Sequence, residues 1–251
     1  DARSVSEIDK PLIAVEILVA KDGQNDLARQ ERDMRIFVRA EAKRISPRTR
    51  FVFPKMLDSF EYDGRQAVVS HRAVGYYTIP EILRSYPEGL EPEAVAWMSN
   101  RLFEVLTFLS GMGVVHGALL PPHIAYYFGR EEDEIRHTVK IVGGWAIARK
   151  YSPESGDWGR LSGKFSAYGK FYAPELPERP APQSDLFMAV RCLRTLFGHN
   201  SIPKPFESMF MLAEAVEPSA RPESMNDFRK RFRSMLERNF GGPKFHYTAM
   251  P

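Results

Sequence analysis

Three sets of residues in this chain are of types that could do chemistry. The first is the run Val115-His116-Gly117-Ala118-Leu119-Leu120-Pro121-Pro122-His123-Ile124, with two histidines in a stretch that Pro121-Pro122 bars from α-helix. Imidazole titrates near neutral pH, so either histidine could serve as a general base. For His123, packing within its own loop or a solvent-facing position outweighs that role. The second set is the acidic turn Glu131-Glu132-Asp133-Glu134. Its oxygens suit a hard cation, although such a run is more commonly the solvated tip of a hairpin. The third set is scattered: Glu31, Asp157, Glu175, Asp185, Arg221 and the lone Cys192. Cys192 lies in an apolar helical run and reads as a small buried hydrophobe rather than a nucleophile.

Composition bounds what these residues can belong to. The chain has 251 residues, 43% hydrophobic and 27% charged, an ordinary globular composition with ample length for a core. Its 35 basic and 32 acidic residues leave a formal charge of +3, too even a balance to argue for nucleic acid or a membrane surface. One cysteine excludes an intrachain disulfide and fits a reducing compartment. No apolar run reaches the roughly 18 residues of a membrane helix, and no signal-peptide pattern is present. The expected location is the cytoplasm.

The elements that must position the candidate residues follow from pattern. Pro11 to Ala20 reads as a buried strand and Leu27 to Ala40 as an amphipathic helix carrying Glu31. Phe51-Val52-Phe53 and Ala67-Val68-Val69-Ser70 read as short strands, with hairpin-turn chemistry in Tyr62-Asp63-Gly64-Arg65 between them. Thr78-Ile79-Pro80-Glu81 has the cap, proline and acid of a helix start. From Glu91 to Met112 apolar residues recur every three or four positions, predicting a long helix just before His116. Ala125–Phe128 and Thr138–Val142 should pair as strands around the acidic turn, leading to Lys140-Ile141-Val142-Gly143-Gly144-Trp145. Helices are expected over Ser184–Phe197, Phe206–Val216 and Ser224–Phe240, the last basic on one face. The class is α+β.

The order of these blocks resembles the protein kinase superfamily. There a catalytic loop reads H-R-D-L-x-x-x-N and a later strand ends in D-F-G. His116 and Leu119 match the first pattern, while Gly117 replaces its arginine, Ala118 its catalytic aspartate and His123 its metal-binding asparagine; Leu120 stands where a lysine is usual. Gly143 or Gly144 stands where the metal-binding aspartate belongs. Glu31 matches the helix-C glutamate, and Tyr172-Ala173-Pro174-Glu175 the A-P-E block. Ser184-Asp185-Leu186 is similar to the start of the helix beneath the catalytic loop, and Glu217-Pro218-Ser219-Ala220-Arg221-Pro222 to the D-P-x-x-R-P turn. With Trp145 and the ending Pro243 to Pro251, the loop is similar to short kinase-like proteins of bacteria and bacteriophages that carry an HG-A-x-LPPH sequence.

This resemblance implies a bilobal kinase-like fold, with a reduced strand-rich N-lobe over residues 1–73 and a mainly helical C-lobe over 74–251. It also implies a degenerate member, a pseudokinase acting as a protein-binding scaffold or regulator. Residues 1–20 contain no glycine that could form a phosphate-cradling hairpin. The lysine strand offers Lys21 or, in the better-fitting register, Leu18, which leaves Glu31 without the usual lysine. Asp185 should cap its helix and accept N–H bonds from residues 116–118, Glu175 should pair with Arg221, and Trp145 should fill the vacated metal pocket. Structural roles are thus expected for Glu31, His116, Trp145, Glu175, Asp185 and Arg221, and none of catalysis for Ala118, Leu120, His123, Gly143 or Gly144. No metal or cofactor is expected, magnesium-ATP binding should be weak or absent, and the partner should be a protein. Candidate partner surfaces are the basic helix around Lys230-Arg231-Phe232-Arg233 and the aromatic tail Phe245-His246-Tyr247. The alternatives are an atypical transferase using Asp157 or Glu131, and a small-ligand sensor.

Overall fold

The computed structural model describes residues 15–45, 52–128, 138–242 and 250. Residues 1–10, Phe51, the acidic turn Glu131 to Glu134 and the tail Phe245-His246-Tyr247 lie outside these. The described chain is α+β, with small sheets and a larger helical part.

The first sheet has strand order β1-β3-β2, all antiparallel, from β1 (Val15–Val19), β2 (Met56–Tyr62) and β3 (Arg65–His71). Val19 lies opposite Ala67 and Tyr62 opposite Arg65. The β2–β3 turn places Asp63 and Gly64 at φ of 49° and 70°, as a two-residue hairpin of this hand requires. Between β1 and β2 runs α1 (Asn25–Ile45), longer than the expected 27–40. Its Met34, Val38 and Ala42 form the apolar stripe that faces inward.

One strand is displaced from its expected place. Phe51-Val52-Phe53 was expected to pair with β3, but the pairing strand begins at Met56. Pro54 accounts for this, because it brings no N–H to a ladder and restricts the residue before it. Phe53 turns inward instead and packs edge-on against Trp145, ring centroids 5.7 Å apart.

The second sheet has order β4-β6-β7, from β4 (Tyr76–Thr78), β6 (Ile124–Tyr127) and β7 (Val139–Ile141). Thr78 opens α2 (Ile79–Ser85), with its N–H donating to the Glu81 carboxylate at 2.7 Å and its hydroxyl at 2.6 Å. The central helix α3 (Pro92–Gly111) starts on a proline, whose missing N–H is not needed there. Val95, Leu102, Val105 and Leu106 are all buried on it. Each such side chain contributes about 1.5–3 kcal/mol by leaving water.

A ribbon not legible in advance, β5 (Val114–Val115) with β8 (Arg149–Lys150), follows α3 and closes beside the site. The remaining helices are α4 (Pro182–Phe197), α5 (Lys204–Ala213) and α6 (Met225–Phe240). Phe103, Phe206, Phe210, Phe228 and Phe232 mesh α3, α5 and α6 together. Phe232 is therefore core, while Lys230, Arg231 and Arg233 around it are exposed. Cys192 is buried in α4, its thiol donating to the Leu119 carbonyl at 3.3 Å. Among the described residues, no helix is long and apolar enough to cross a membrane.

Candidate functional site

The loop from His116 to His123 leaves the end of β5 and runs into a 3₁₀ turn, Pro121–His123, that starts β6. It is held from below by α4. Asp185 accepts the His116 N–H at 2.7 Å on one carboxylate oxygen and the Gly117 N–H at 2.8 Å on the other. The expectation that Asp185 also caps its helix is corrected: α4 starts at Pro182, with Ala181 at the cap position, which places Asp185 inside the first turn and free to reach the loop. Burial drives the Asp185 carboxyl up to about 7, against the two N–H bonds that favour its charged form.

Gly117 is required where it stands. Its φ is +69°, and a Cβ there would come within 2.7 Å of the Leu161 side chain. Ala118 and Leu120 are fully buried.

His116 is fully buried and its tautomer follows from its neighbours. The Ala118 N–H donates to Nδ1 at 3.2 Å, so the proton sits on Nε2, which faces the Gly143 carbonyl at 3.1 Å. Burial, with help from the nearby His123, pushes its pKa down to about 3, so the ring is neutral. Nδ1 of His123 lies 2.8 Å from the Ala118 carbonyl and must donate to it. Burial lowers the pKa of His123 as well, against the pull of the Ala118 carbonyl and the Glu31 charge.

The two rings converge over Gly144. That residue has φ of +85°, and a Cβ built on it would lie 2.6 Å from His123 Nδ1 and 2.9 Å from His116 Cε1. At Gly143 a Cβ would meet His123 Cδ2 at 3.2 Å. Any side chain at Gly144 would thus collide with two imidazoles, both held by hydrogen bonds. Trp145 closes the cluster from within the core. It is fully buried, stacks edge-on to His116 at 4.4 Å and donates its indole N–H to the Ile141 carbonyl at 3.2 Å.

Glu31 reaches this turn from α1. One oxygen accepts the Ala146 N–H at 2.7 Å, and the other pairs with Arg35 at 2.7 Å. Arg35 was not among the expected site residues, yet it is wholly buried and acts as a hub. Its guanidinium also donates to the Val142 carbonyl at 3.0 Å and lies 3.4 Å from the Ser70 hydroxyl on β3. The i,i+4 spacing of Glu31 and Arg35 was the available signal. Lys21, the alternative partner considered for Glu31, is exposed in the turn after β1.

The structure therefore brings together Glu31, His116, Ala118, Leu120, His123, Gly143, Gly144 and Trp145, with Asp185 beneath. It places Glu175 and Arg221 in a second cluster. There the guanidinium makes bonds of 2.7 and 2.9 Å to the two carboxylate oxygens and also serves the Ala215 and Val216 carbonyls. The Ser184 hydroxyl donates to the same carboxylate. Burial raises the pKa of Glu175, but Arg221 and Ser184 outweigh it and hold the carboxylate below its usual range. Asp157 sits in an exposed turn, accepting from Ser155 and Gly159.

This donor set does not fit a magnesium-bound nucleotide. Magnesium takes carboxylate oxygens at near-octahedral geometry. The loop supplies neutral imidazoles, His123 spends Nδ1 on a carbonyl, and both Glu31 oxygens are engaged. Among the described residues, no three His, Cys, Asp or Glu side chains converge where they could hold a metal ion. Comparison of the chain with protein-family models and with curated proteins returned no match.

Proposed function

We infer that this chain is a kinase-shaped protein that does not transfer phosphate and that acts through contacts with another protein. The reading takes residues 1–73 as a reduced N-lobe and 74–251 as a helical C-lobe, with α1 in the role of helix C. What carries it is the closure of space over Gly144 by the rings of His116 and His123. In a working phosphotransferase a carboxylate at that point would hold the metal that neutralises the phosphates. Here an acidic side chain could not be accommodated without displacing bonded rings.

Two further features support the same reading. Ala118, at the position of the acceptor-orienting aspartate, is fully buried. Glu31, instead of awaiting a lysine from the strand, is tied to Arg35 of its own helix and to the Ala146 backbone. That arrangement clamps α1 against the turn after β7 without any nucleotide. The body is built to hold a shape. The exposed Lys230, Arg231 and Arg233 on α6 offer a basic face to an acidic protein partner.

A thermal-shift titration with ATP, with and without Mg²⁺ or Mn²⁺, tests this. No metal-dependent stabilisation is expected at millimolar nucleotide. A ligand at one hundred times its dissociation constant stabilises by about 2.7 kcal/mol, so a saturable metal-dependent rise of several degrees would overturn the proposal.

A further inference from the structure

A groove of about 500 Å³ runs between α1 and β8. Met34 and Phe37 of α1 give it an apolar floor, and Arg149 and Lys150 of β8 line the opposite side. We propose that this groove docks an acidic segment of a partner protein, its carboxylates meeting Arg149 and Lys150 and a large apolar side chain seated on Phe37 and Met34. The proposal rests on the reading of the chain as one that acts through protein contacts, and it gives that contact a place.

Charge selects the occupant. Asp26 and Asp33 also line the groove, but each has a cation on its own helix, Arg29 at 2.9 Å and Arg32 at 2.7 Å. The two cations of β8 have no such partner among the described residues. The Arg149 guanidinium donates only to backbone carbonyls, those of Arg160, Ile147 and Ala148, at 3.2, 3.4 and 3.1 Å. These bonds use Nε and Nη1 and leave Nη2 for a ligand. Carbonyls orient a guanidinium without neutralising it, and burial lowers the Arg149 pKa, as for a charge short of a counterion. The Lys150 ammonium lies 4.6 Å over the Phe37 ring and likewise meets no carboxylate among the described residues. With its acids already paired and both remaining charges positive, the groove attracts carboxylates.

The walls are set before any partner arrives. The Ala148 carbonyl accepts from Gln30 Nε2 of α1 at 3.2 Å and from Arg149 Nη1 at 3.1 Å. Sharing that oxygen ties β8 to the helix and keeps the guanidinium beside the groove. Pre-ordered walls reduce the entropy lost on association. Phe37 is half-buried, while Asp26, Arg29, Asp33 and Lys150 around it are exposed. An aromatic floor within a charged, open rim is the layout of a protein-contact surface, whereas a small-molecule site encloses most of its ligand.

The probe is a fluorescein-labelled hexapeptide of alternating glutamate and leucine, titrated with the full chain and read by fluorescence polarisation. Two peptides of the same length serve for comparison, one with lysine in place of glutamate and one with serine in place of leucine. Saturation at a dissociation constant below about 1 mM is expected, with both comparison peptides weaker by about tenfold or more. Arg149→Gln should weaken the glutamate–leucine peptide about tenfold or more, and Lys150→Glu about fivefold or more. Lys230→Gln on α6 should leave it unchanged. Lys150 is exposed, so its substitution keeps the test intact if Arg149→Gln fails to fold. Absence of saturation, equal binding of the lysine peptide, full binding to Lys150→Glu, or a loss with Lys230→Gln would overturn the proposal. A serine peptide as tight as the leucine one would overturn the part assigned to Phe37 and Met34. Magnesium-ATP binding would overturn the lack of phosphotransfer and leave the groove standing, so the two readings fail separately.

Discussion

Placing alanine at Gly144 probes the closed space over the turn directly. Two effects add. A side chain at φ of +85° adopts a left-handed conformation that costs an L-residue about 1–2 kcal/mol. The new Cβ would also stand 2.6 Å from His123 Nδ1 and 2.9 Å from His116 Cε1, well inside van der Waals contact. Neither ring can swing aside cheaply. His123 would give up its bond to the Ala118 carbonyl, and His116 is bonded through both nitrogens. Overpacking of this kind costs about 1–3 kcal/mol, so Gly144→Ala should destabilise the protein by about 2–5 kcal/mol. Urea unfolding followed by tryptophan fluorescence would measure it, since Trp145 sits beside both residues. Adding His123→Ala removes one of the two colliding rings. The double variant should therefore recover about 1–2 kcal/mol relative to the sum of the single effects. A cost for Gly144→Ala within about 0.5 kcal/mol of zero, the range of an ordinary surface substitution, would refute the reasoning. So would simple additivity.

The buried pair beneath the loop predicts a pH signature. His116, ordinarily near 6.5, is held at about 3, so it contributes stability above pH 6.5 that is lost as the pH falls toward 3. Asp185, ordinarily near 3.8, is raised to about 7, so its contribution is present below pH 3.8 and lost as the pH rises through 7. Between about pH 4 and 6.5 the two slopes oppose, each about 1.4 kcal/mol per pH unit. His116→Gln should then make the protein more stable as the pH falls across that window, and Asp185→Asn less stable; unfolding curves with the same slope for both would contradict this. Arg221→Met should cost about 3–5 kcal/mol in denaturant unfolding, because it leaves the Glu175 carboxylate buried and unpaired, and adding Glu175→Gln should restore part of that. A loss under 1 kcal/mol would count against it. Glu31→Ala should loosen the turn after β7 by freeing the Ala146 N–H and Arg35, read as faster amide exchange at Ala146 than in the parent.

The helices were the most legible part of the sequence, for a physical reason. Apolar residues every three or four positions, from Val95 to Leu109, report a buried face wherever the rest of the chain lies. The Thr78 cap and the Asp63-Gly64 turn are equally local. The strand at Met56–Tyr62 has polar residues at Asp58, Ser59 and Glu61 and so a weaker pattern than the apolar Phe51-Val52-Phe53 beside it, and the residue that decides between them is Pro54. At the site, the link between Asp185 and the 116–117 backbone and the pairing of Glu175 with Arg221 came from the kinase resemblance alone, since 68 or 69 residues separate the first partners and 46 the second. Arg35 was invisible for a different reason. Its spacing from Glu31 suggests an ordinary exposed helical pair, and only the packing of α1 against Val142 and Ser70 turns it into a buried hub.

Isothermal titration of the purified chain with magnesium-ATP tests the central claim most directly. If the rings of His116 and His123 close off the metal position as proposed, the expected result is no heat of metal-dependent binding up to millimolar nucleotide. A saturable isotherm at micromolar dissociation constant, accompanied by ATP consumption, would contradict it.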